Sequence, residues 1–294
     1  MRRGDGCAVL MISQPEEAAM KLTIAQQLSF GTIKIETSGP NGSGSGTGYF
    51  LSLDDGLPVI VTNKHVVAGA ETGKLTFTRC APDGGPLLGE TYCATIVHFE
   101  EHFDLHPDPV VDLAVLRIAP LLDGMAKRGI MVFYTHLPWS MVADDEFLST
   151  LHTCEDVIMI GYPKGIIDEK NNMPIVRRGI TATAPSIDFQ GRSEFVIDCA
   201  CFHGSSGSPV FLYNSMLHPG EGGLMMGPRV KLIGTLYAGP QFTNEGEIVV
   251  RPAPTSDLAV LTRTMMNLGN CVKSTQLGWF REHFLEIYGE DLEA

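Results

Sequence analysis

The chain has 294 residues, 44% of them hydrophobic, and a formal net charge of −13. This length allows two modest domains or one large one, and the apolar content is enough for a packed core, which excludes an intrinsically disordered chain. The excess of acidic residues excludes nucleic acid as the main partner, because phosphates attract lysine and arginine.

The apolar runs of the sequence are all short. None approaches the roughly 18 residues that a membrane helix needs, and the apolar stretch near the N-terminus, residues 7–12, is too short for a signal peptide. The seven cysteines are an odd number and include no C-x-x-C pair. We therefore expect reduced thiols and a cytoplasmic protein that does not associate with membranes.

In chain order, short β-rich runs are separated by glycine, proline, asparagine and aspartate. The 32 glycines and 18 prolines supply the turns that such a pattern needs. About a dozen short strands are typical of an all-β sandwich or barrel. The predicted strands cover residues 33–36, 49–53, 59–62, 75–78, 93–99, 110–118, 157–160, 179–183, 195–197, 209–212, 231–237 and 247–250.

Two stretches interrupt the β pattern. Residues 120–150 combine a predicted helix over 121–128, an apolar patch over 131–142 and a second helical piece that starts after Asp144. They lie between two β-rich halves, which predicts a bridge between two domains. From residue 256 onward the spacing of apolar residues favours helices over 258–266 and 277–287, and the chain ends in an acidic tail.

Three segments carry residues that suit nucleophilic catalysis. A β-rich run ends at His65, Asp112 precedes a strongly apolar stretch, and Ser206 lies between two glycines. A serine hydroxyl becomes a useful nucleophile when a neutral imidazole takes its proton, and a carboxylate must hold the tautomer of that imidazole. Gly204 allows a backbone N–H to turn toward the site, where it and the N–H of Ser206 can stabilise an oxyanion. The three segments together predict a catalytic serine centre.

The same segments resemble the signature blocks of a known family. Thr62-Asn-Lys-His65-Val-Val, Asp112-Leu-Ala-Val-Leu and Gly204-Ser-Ser206-Gly-Ser-Pro are similar to those of the trypsin/chymotrypsin-fold serine proteases. The resemblance is to the bacterial trypsin-like peptidase branch, which includes the HtrA proteases, and it runs from about residue 28 to 250. Further similar features are the glycine-rich run 42–48, Gly161-Tyr-Pro163 and Asp198.

The resemblance implies a fold and a set of roles. The implied fold is all-β, with two packed six-stranded antiparallel β-barrels (chymotrypsin-like) and a C-terminal helical segment. In the cleft between the barrels, His65 would be the general base, Asp112 its orienting carboxylate and Ser206 the nucleophile of an endopeptidase without a cofactor. The N–H groups of Gly204 and Ser206 would form the oxyanion hole. The implied domains are an N-terminal extension (1–27), a first barrel (28–119), the bridge (120–150), a second barrel (151–255) and C-terminal helices with the acidic tail (256–294).

The sequence departs from the family pattern in two places. Chymotrypsin-like enzymes have an aspartate before the nucleophile that pairs with a newly cut N-terminus, but here that residue is Ser205. We therefore do not expect that activation route. About 40 residues follow the last predicted strand, which is too few for the peptide-binding tail domain of the HtrA proteases. Ser205 and the apolar insertion 131–142 lead us to expect control by a regulatory protein partner.

The resemblance also indicates where a protein or peptide substrate would bind. It places three non-acidic residues at the base of the specificity pocket, which disfavours arginine or lysine and favours a small or medium apolar residue before the scissile bond. The strand 231–239 would form the opposite wall and pair with the substrate backbone. A histidine beside Gly204 is expected on the rim. The expected substrate-binding residues are Cys199, Ala200, Cys201, His203, Tyr237, Ala238 and Gly239.

Other interpretations of the sequence are possible. His98, Glu101 and His102 match the H-x-x-E-H zinc pattern. The preceding residues, 91–99, are predicted as a strand, which would destroy the helical spacing of the ligands, so we expect no metal. The alternatives to a peptidase are a catalytically idle protease fold used as a binding or scaffold module and an esterase on the same scaffold.

Overall fold

The computed structural model describes residues 8–10, 22–40, 42–53, 57–220, 223–239, 241–247 and 259–292. The all-β, chymotrypsin-like architecture is confirmed: a nine-stranded sheet comes mainly from the N-terminal half, and a closed six-stranded barrel comes from the C-terminal half. Within the described ranges, no helix is both long enough and apolar enough to cross a membrane.

The first unit is the nine-stranded sheet. Its strands are β1 (Ala8–Leu10), β2 (Thr32–Gly39), β3 (Gly42–Ser52), β4 (Pro58–Thr62), β5 (Thr72–Cys80), β6 (Pro86–Val97), β7 (Phe103–Leu105), β8 (Ala114–Arg117) and β9 (Val132–His136). They follow the order β1-β9-β5-β2-β3-β4-β8-β7, with β6 paired to β5. The sheet therefore differs from the expected six-stranded barrel, because β1 pairs in parallel with β9 at one end and β7 pairs with β8 at the other.

The second unit is the closed barrel, with two hairpins attached. The strands are β10 (Asp156–Gly161), β11 (Ile175–Thr181), β12 (Glu194–Asp198), β13 (Pro209–Asn214), β14 (Leu217–Gly220), β15 (Gly223–Met226), β16 (Arg229–Ala238), β17 (Gln241–Glu247), β18 (Ala259–Met265) and β19 (Leu268–Lys273). Six of them close in the order β10-β11-β12-β19-β16-β13, while β14 pairs with β15 and β17 pairs with β18.

Helices are short, apart from the last one. The expected helix start after Asp144 is confirmed, since its side chain accepts a hydrogen bond from the backbone N–H of Phe147 at 2.8 Å and caps the helix. The helices are α1 (Ile24–Phe30), α2 (Lys64–Val67), α3 (Ala119–Ala126), α4 (Asp145–Ser149) and α5 (Gly278–Leu292). Turns of 3₁₀ helix lie at Phe99–His102, Trp139–Met141, Pro163–Gly165 and Ser274–Leu277.

Four features of the chain differ from the expectations drawn from the sequence. The helix predicted over 258–266 is wrong, because β18 occupies Ala259–Met265 and pairs with β17. The second barrel extends past residue 255, since β19 closes it between β12 and β16. The bridge 120–150 contains β9, which belongs to the first sheet. The strand predicted over 110–118 begins only at Ala114, and residues 248–250 of the strand predicted over 247–250 lie outside the described residues.

Each unit has its own core, and a third apolar cluster joins the two. In β4, Ile60 packs into the core of the first unit, whereas Val59 and Val61 belong to the joining cluster. In β10, Met159 lies in the barrel core and Ile158 in the joining cluster. Successive side chains of a strand point to opposite faces, so these runs are apolar throughout because both faces are buried.

The joining cluster holds the two units in a fixed relation. Its members include residues of both units and of α5, such as Leu277, Phe280 and Phe284. A hydrogen bond of 2.8 Å between Tyr49 Oη and Thr235 Oγ1 also crosses the boundary. The cleft between the units therefore has well-packed walls.

Candidate active site

A cleft with a volume of about 700 Å³ lies between the two units. Its walls come from β2, β3 and the α2 region on one side and from the 203–206 segment on the other. His65 and Ser206 both line it, and the His65 side chain is 48% exposed. The structure therefore brings the predicted base and the predicted nucleophile to one open surface.

The sheet explains why His65 and Asp112 are adjacent. In the antiparallel pair β4–β8, Thr62 lies opposite Ala114. The residues that follow β4 and those that precede β8 therefore leave the sheet at the same edge. His65 Nδ1 lies 2.5 Å from Asp112 Oδ2, and the backbone N–H of His65 donates to Asp112 Oδ1 at 3.2 Å. Both carboxylate oxygens thus contact the same residue, which fixes the imidazole ring.

The segment that carries Asp112 is held by residues next to His65. Asn63 Nδ2 donates to the carbonyl oxygen of Asp112 at 2.6 Å, and Lys64 Nζ donates to the carbonyl oxygen of Asp108 at 2.7 Å. Partial burial lowers the pKa of Lys64, against the attraction of Asp112 and Asp108. Neither Asn63 nor Lys64 was predicted from the sequence to have a role, although both lie inside the histidine motif.

The C-terminal helix α5 packs against the segment that leads to Asp112. The His106 ring packs edge-on against Trp279 and Phe280 of α5, with centroid separations of 5.4 and 5.7 Å. The backbone N–H of His106 donates to the carbonyl oxygen of Leu113 at 3.1 Å. Burial, and then the positive charge of Lys64, lower the pKa of His106, so its ring stays neutral at pH 7. A neutral aromatic contact therefore joins α5 to the Asp112 segment.

The backbone of the nucleophile segment turns sharply at Gly204, where φ is +83°. A Cβ atom there would lie 2.6 Å from the carbonyl oxygen of Tyr162, so only glycine fits. The carbonyl oxygen of His203 accepts a hydrogen bond from the N–H of Lys164 at 2.5 Å. Because C=O and N–H point in opposite directions across a trans peptide, the N–H of Gly204 points away from Lys164.

The N–H groups of Gly204 and Ser206 make no hydrogen bond to any residue that the structure describes. Two unpaired donors side by side next to a nucleophile are what an oxyanion hole requires. The intervening N–H, that of Ser205, donates to the carbonyl oxygen of Phe202 at 3.0 Å. The segment therefore leaves alternate N–H groups available to a ligand.

The Ser206 hydroxyl donates to the carbonyl oxygen of Tyr237 at 3.3 Å. This hydrogen bond is long for two oxygen atoms, which usually lie 2.7–2.8 Å apart. A rotation about the Cα–Cβ bond of Ser206 would turn the hydroxyl away from Tyr237 at little cost. The hydroxyl is thus in the cleft and not tightly held.

Of the residues expected at the base of the specificity pocket, the two cysteines are almost fully buried, at 3% and 1% exposure for Cys199 and Cys201. Burial raises the pKa of both thiols, that of Cys201 to about 12, so neither is a nucleophile at neutral pH. Ala200 accepts a hydrogen bond through its carbonyl oxygen from Arg177 Nη1 at 2.7 Å. Arg177 lies in no motif of the sequence, so its contact with this segment was not predicted.

The residues expected on the opposite wall and on the rim are placed as follows. Tyr237 Oη donates to the buried carboxylate of Glu194 at 2.9 Å, which fixes its ring, and its carbonyl oxygen faces Ser206. Ala238 and Gly239 follow it and are half-buried. His203 is exposed and lines the cleft beside Gly204.

The H-x-x-E-H motif lies away from the cleft lining, on a 3₁₀ turn that follows β6. The strand predicted over 91–99 is confirmed as far as Val97, where β6 ends. His102 Nε2 lies 3.1 Å from the carbonyl oxygen of Val97, and His98 Nδ1 lies 3.6 Å from Glu101 Oε1. Over the described ranges, no three histidine, cysteine or acidic residues are grouped as metal ligands.

A family model and a known protein are similar in sequence to this chain. The family model for the trypsin-like peptidase domain matches residues 46–215, more than half of the chain. The serine protease Do-like HtrA of Bacillus subtilis (strain 168) is 27% identical over 184 residues, which cover 62% of this chain and 34% of that protein. The chain therefore spans about a third of the length of that relative.

Solved structures with a similar course of the backbone include two proteases. An HtrA-type protease, AlgW with a tripeptide, has a TM-score of 0.45 at 17% identity over 89% of this chain and 62% of that one. The Rv3671c protease from M. tuberculosis in its active form has a TM-score of 0.42 at 15% identity over 91% of this chain and 89% of that one.

Proposed function

Because the chain belongs to the trypsin-like peptidase domain family, we propose that it is a serine endopeptidase that cleaves proteins or peptides through an acyl-enzyme. The observation that carries the proposal is the hydrogen-bonded pair of His65 and Asp112 in the cleft that Ser206 also lines. The N–H groups of Gly204 and Ser206, which no described residue accepts from, belong to the nucleophile segment. The proposed base, nucleophile and oxyanion donors thus all belong to residues that line one cleft.

The first half of the reaction forms the acyl-enzyme. Asp112 holds the proton on His65 Nδ1, so Nε2 carries the lone pair that takes the proton of the Ser206 hydroxyl. Ser206 Oγ turns from the Tyr237 carbonyl and attacks the scissile carbonyl carbon, whose electron pair moves to oxygen. The N–H groups of Gly204 and Ser206 stabilise that oxyanion. When the C–N bond breaks, His65 returns the proton to the leaving amine.

The second half repeats these steps with water. His65 Nε2 takes a proton from water, and the resulting hydroxide attacks the acyl carbon. The same N–H groups stabilise the second oxyanion, and the Ser206 Oγ–acyl bond breaks as His65 returns the proton to Oγ. The products are a carboxylic acid and the regenerated enzyme.

The substrate side of the proposal rests on the pocket segment. Cys199, Ala200 and Cys201 offer no acidic side chain, so a small or medium apolar residue before the scissile bond remains our prediction. The strand that ends at Tyr237-Ala238-Gly239 is the element that would pair with the substrate backbone. A cytoplasmic location and a regulatory protein partner also remain predictions.

A fluorophosphonate probe tests the proposal, because it reacts covalently with an activated serine. We expect labelling of the native protein that is lost in Ser206→Ala and retained in Ser208→Ala, a nearly isosteric change two residues along the same segment. Cleavage of casein and of an internally quenched peptide library then separates a peptidase from an esterase. Absence of labelling in the native protein, with or without cell extract as a source of activator, would overturn the proposal in favour of an idle fold.

A further inference from the structure

Arg177 contacts the segment that precedes the nucleophile, although the proposed reaction assigns it no role. It projects from β11 toward the segment just before the nucleophile. Its Nη1 donates to Ser205 Oγ at 2.7 Å and to the carbonyl oxygen of Ala200 at 2.7 Å. One nitrogen has two hydrogens, so both are used.

The two acceptors enclose the oxyanion segment. Ala200 and Ser205 lie five positions apart, and Gly204, with one of the two oxyanion donors, lies between them. Ser205 is fully buried and immediately precedes Ser206. A single guanidinium nitrogen therefore ties both ends of the segment whose backbone must present N–H groups to the substrate.

Among the residues that the structure describes, no acid forms an ion pair with Arg177. Within the described part of the chain, its Nε and Nη2 are buried without a hydrogen-bond partner, and it forms no ion pair. Burial lowers its pKa. A buried cation without a counter-charge destabilises the fold, and such costs are typical of functional positions. Arg178, the next residue, illustrates the ordinary case, with a 74% exposed side chain that pairs with Asp156.

We propose that Arg177 is a positioning residue that sets the oxyanion hole by holding Ser205 and Ala200. The inference rests on the proposed peptidase function. In chymotrypsin-like enzymes, an aspartate before the nucleophile pairs with the newly cut N-terminus. In this chain the residue before the nucleophile is the neutral Ser205, and the positive charge beside it belongs to Arg177 on β11. The orientation of the Gly204 N–H then depends on the side chain of Arg177 on β11.

The test compares neighbouring arginines. Arg177→Met, Arg177→Lys and the control Arg178→Met are titrated with the fluorophosphonate probe, and kcat and KM are measured per labelled site on a peptide substrate. We expect Arg177→Met to lower kcat about 10- to 100-fold, less than the roughly 10²- to 10³-fold cost of losing an oxyanion donor itself, because the donors stay in place but are less well held. KM should change little. Binding of a peptide aldehyde, whose adduct occupies the oxyanion hole, should weaken by a similar factor. Arg177→Lys should recover part of the rate, and Arg178→Met should match the native protein.

The outcomes separate this inference from the function on which it rests. A native protein that is not labelled contradicts the peptidase itself, before any variant is compared. If the native protein turns over and Arg177→Met lowers the melting temperature but not kcat per labelled site, Arg177 is merely structural. A change confined to KM would make it a specificity residue and overturn the proposal. If Arg177→Met does not fold, Ser205→Ala decides the question, since an unchanged kcat in that variant also overturns it.

Discussion

The hydroxyl of Thr47 donates to the carbonyl oxygen of Gly204 at 3.0 Å, across 157 positions of the sequence. The backbone N–H of Thr47 also donates to the carbonyl oxygen of Ser206 at 2.8 Å. Thr47 lies on β3 of the first unit and is fully buried. The nucleophile segment of the second unit is therefore hydrogen-bonded to a strand of the first.

Thr47→Val is expected to lower both stability and activity. The change keeps the shape of the side chain but leaves the carbonyl oxygen of Gly204 and the N–H of Tyr162, which donates to Thr47 Oγ1 at 3.2 Å, without this partner. Loss of such buried hydrogen bonds costs about 1–3 kcal/mol, and we expect kcat to fall about 10-fold or more because Gly204 is no longer held. Urea unfolding and kcat per labelled site measure the two effects. Thr47→Ser retains the hydroxyl and is the control; equal losses in both variants would contradict the role of the hydrogen bonds.

The sequence predicted the local parts of the site and missed the contacts between distant segments. The motifs at His65, Asp112 and Ser206 are local, and pairing of β4 with β8 brings the first two together. Thr47 and Arg177 contact the nucleophile segment only because the fold places β3 and β11 against it. Thr47 lies in the glycine-rich run 42–48 and Arg177 lies in no motif, and the partners of both are many positions away, so no local pattern could identify these contacts.

The error at residues 258–266 has a physical reason as well. Leu258, Leu261 and Met265 have helical spacing, which favoured a helix. Within the same run, Val260, Thr262 and Thr264 alternate with other residues, and β-branched residues favour strands. In a run this short, the spacing of apolar residues does not distinguish a helix from a strand. The structure has a strand here because the run pairs with β17.

Asp112→Asn is expected to lower kcat about 10⁴-fold, the loss that this change produces in comparable Ser-His-Asp centres. The asparagine amide would donate to His65 Nδ1, so the ring would carry its proton on Nε2 and could not accept one from Ser206. The hydrogen bond to the backbone N–H of His65 can be kept, so KM and the urea midpoint should change little. The control is Asp123→Asn on α3, an exposed position. A loss smaller than about 10-fold would contradict the proposed role of Asp112.

Stability is expected to fall as the pH drops below about 6.5, the ordinary pKa of a histidine in an unfolded chain. Burial lowers the pKa of His136 in the folded protein, and its buried Nδ1 has no hydrogen-bond partner among the described residues. Between the ordinary pKa and the lowered one, the unfolded chain binds a proton that the folded chain does not, which favours unfolding. Above pH 6.5 this contribution is constant. His106, whose pKa is also lowered, acts in the same direction.

His136→Gln tests this origin of the acid sensitivity. Urea midpoints measured between pH 7.5 and 5.5 should decline less steeply in the variant than in the native protein, because one lowered pKa has been removed. His152→Gln, at an exposed position, should decline as the native protein does. A variant that declines as steeply as the native protein would show that His136 does not contribute.

Five of the cysteines are expected to fall into two groups by their reactivity toward an alkylating reagent. Cys93 and Cys154 are exposed free thiols, whereas Cys199, Cys201 and Cys271 are buried free thiols. Burial raises the pKa of all three buried thiols, which lowers the thiolate fraction as well as the access of a reagent. Iodoacetamide at pH 7.5 should therefore modify Cys93 and Cys154 in the native protein, and Cys199, Cys201 and Cys271 only after denaturation. Mass spectrometry of peptides from both samples measures this. Rapid modification of Cys199 or Cys201 in the native protein would contradict the burial of the expected pocket base. The reagent would then reach a segment that packs against the barrel core and is hydrogen-bonded to Arg177.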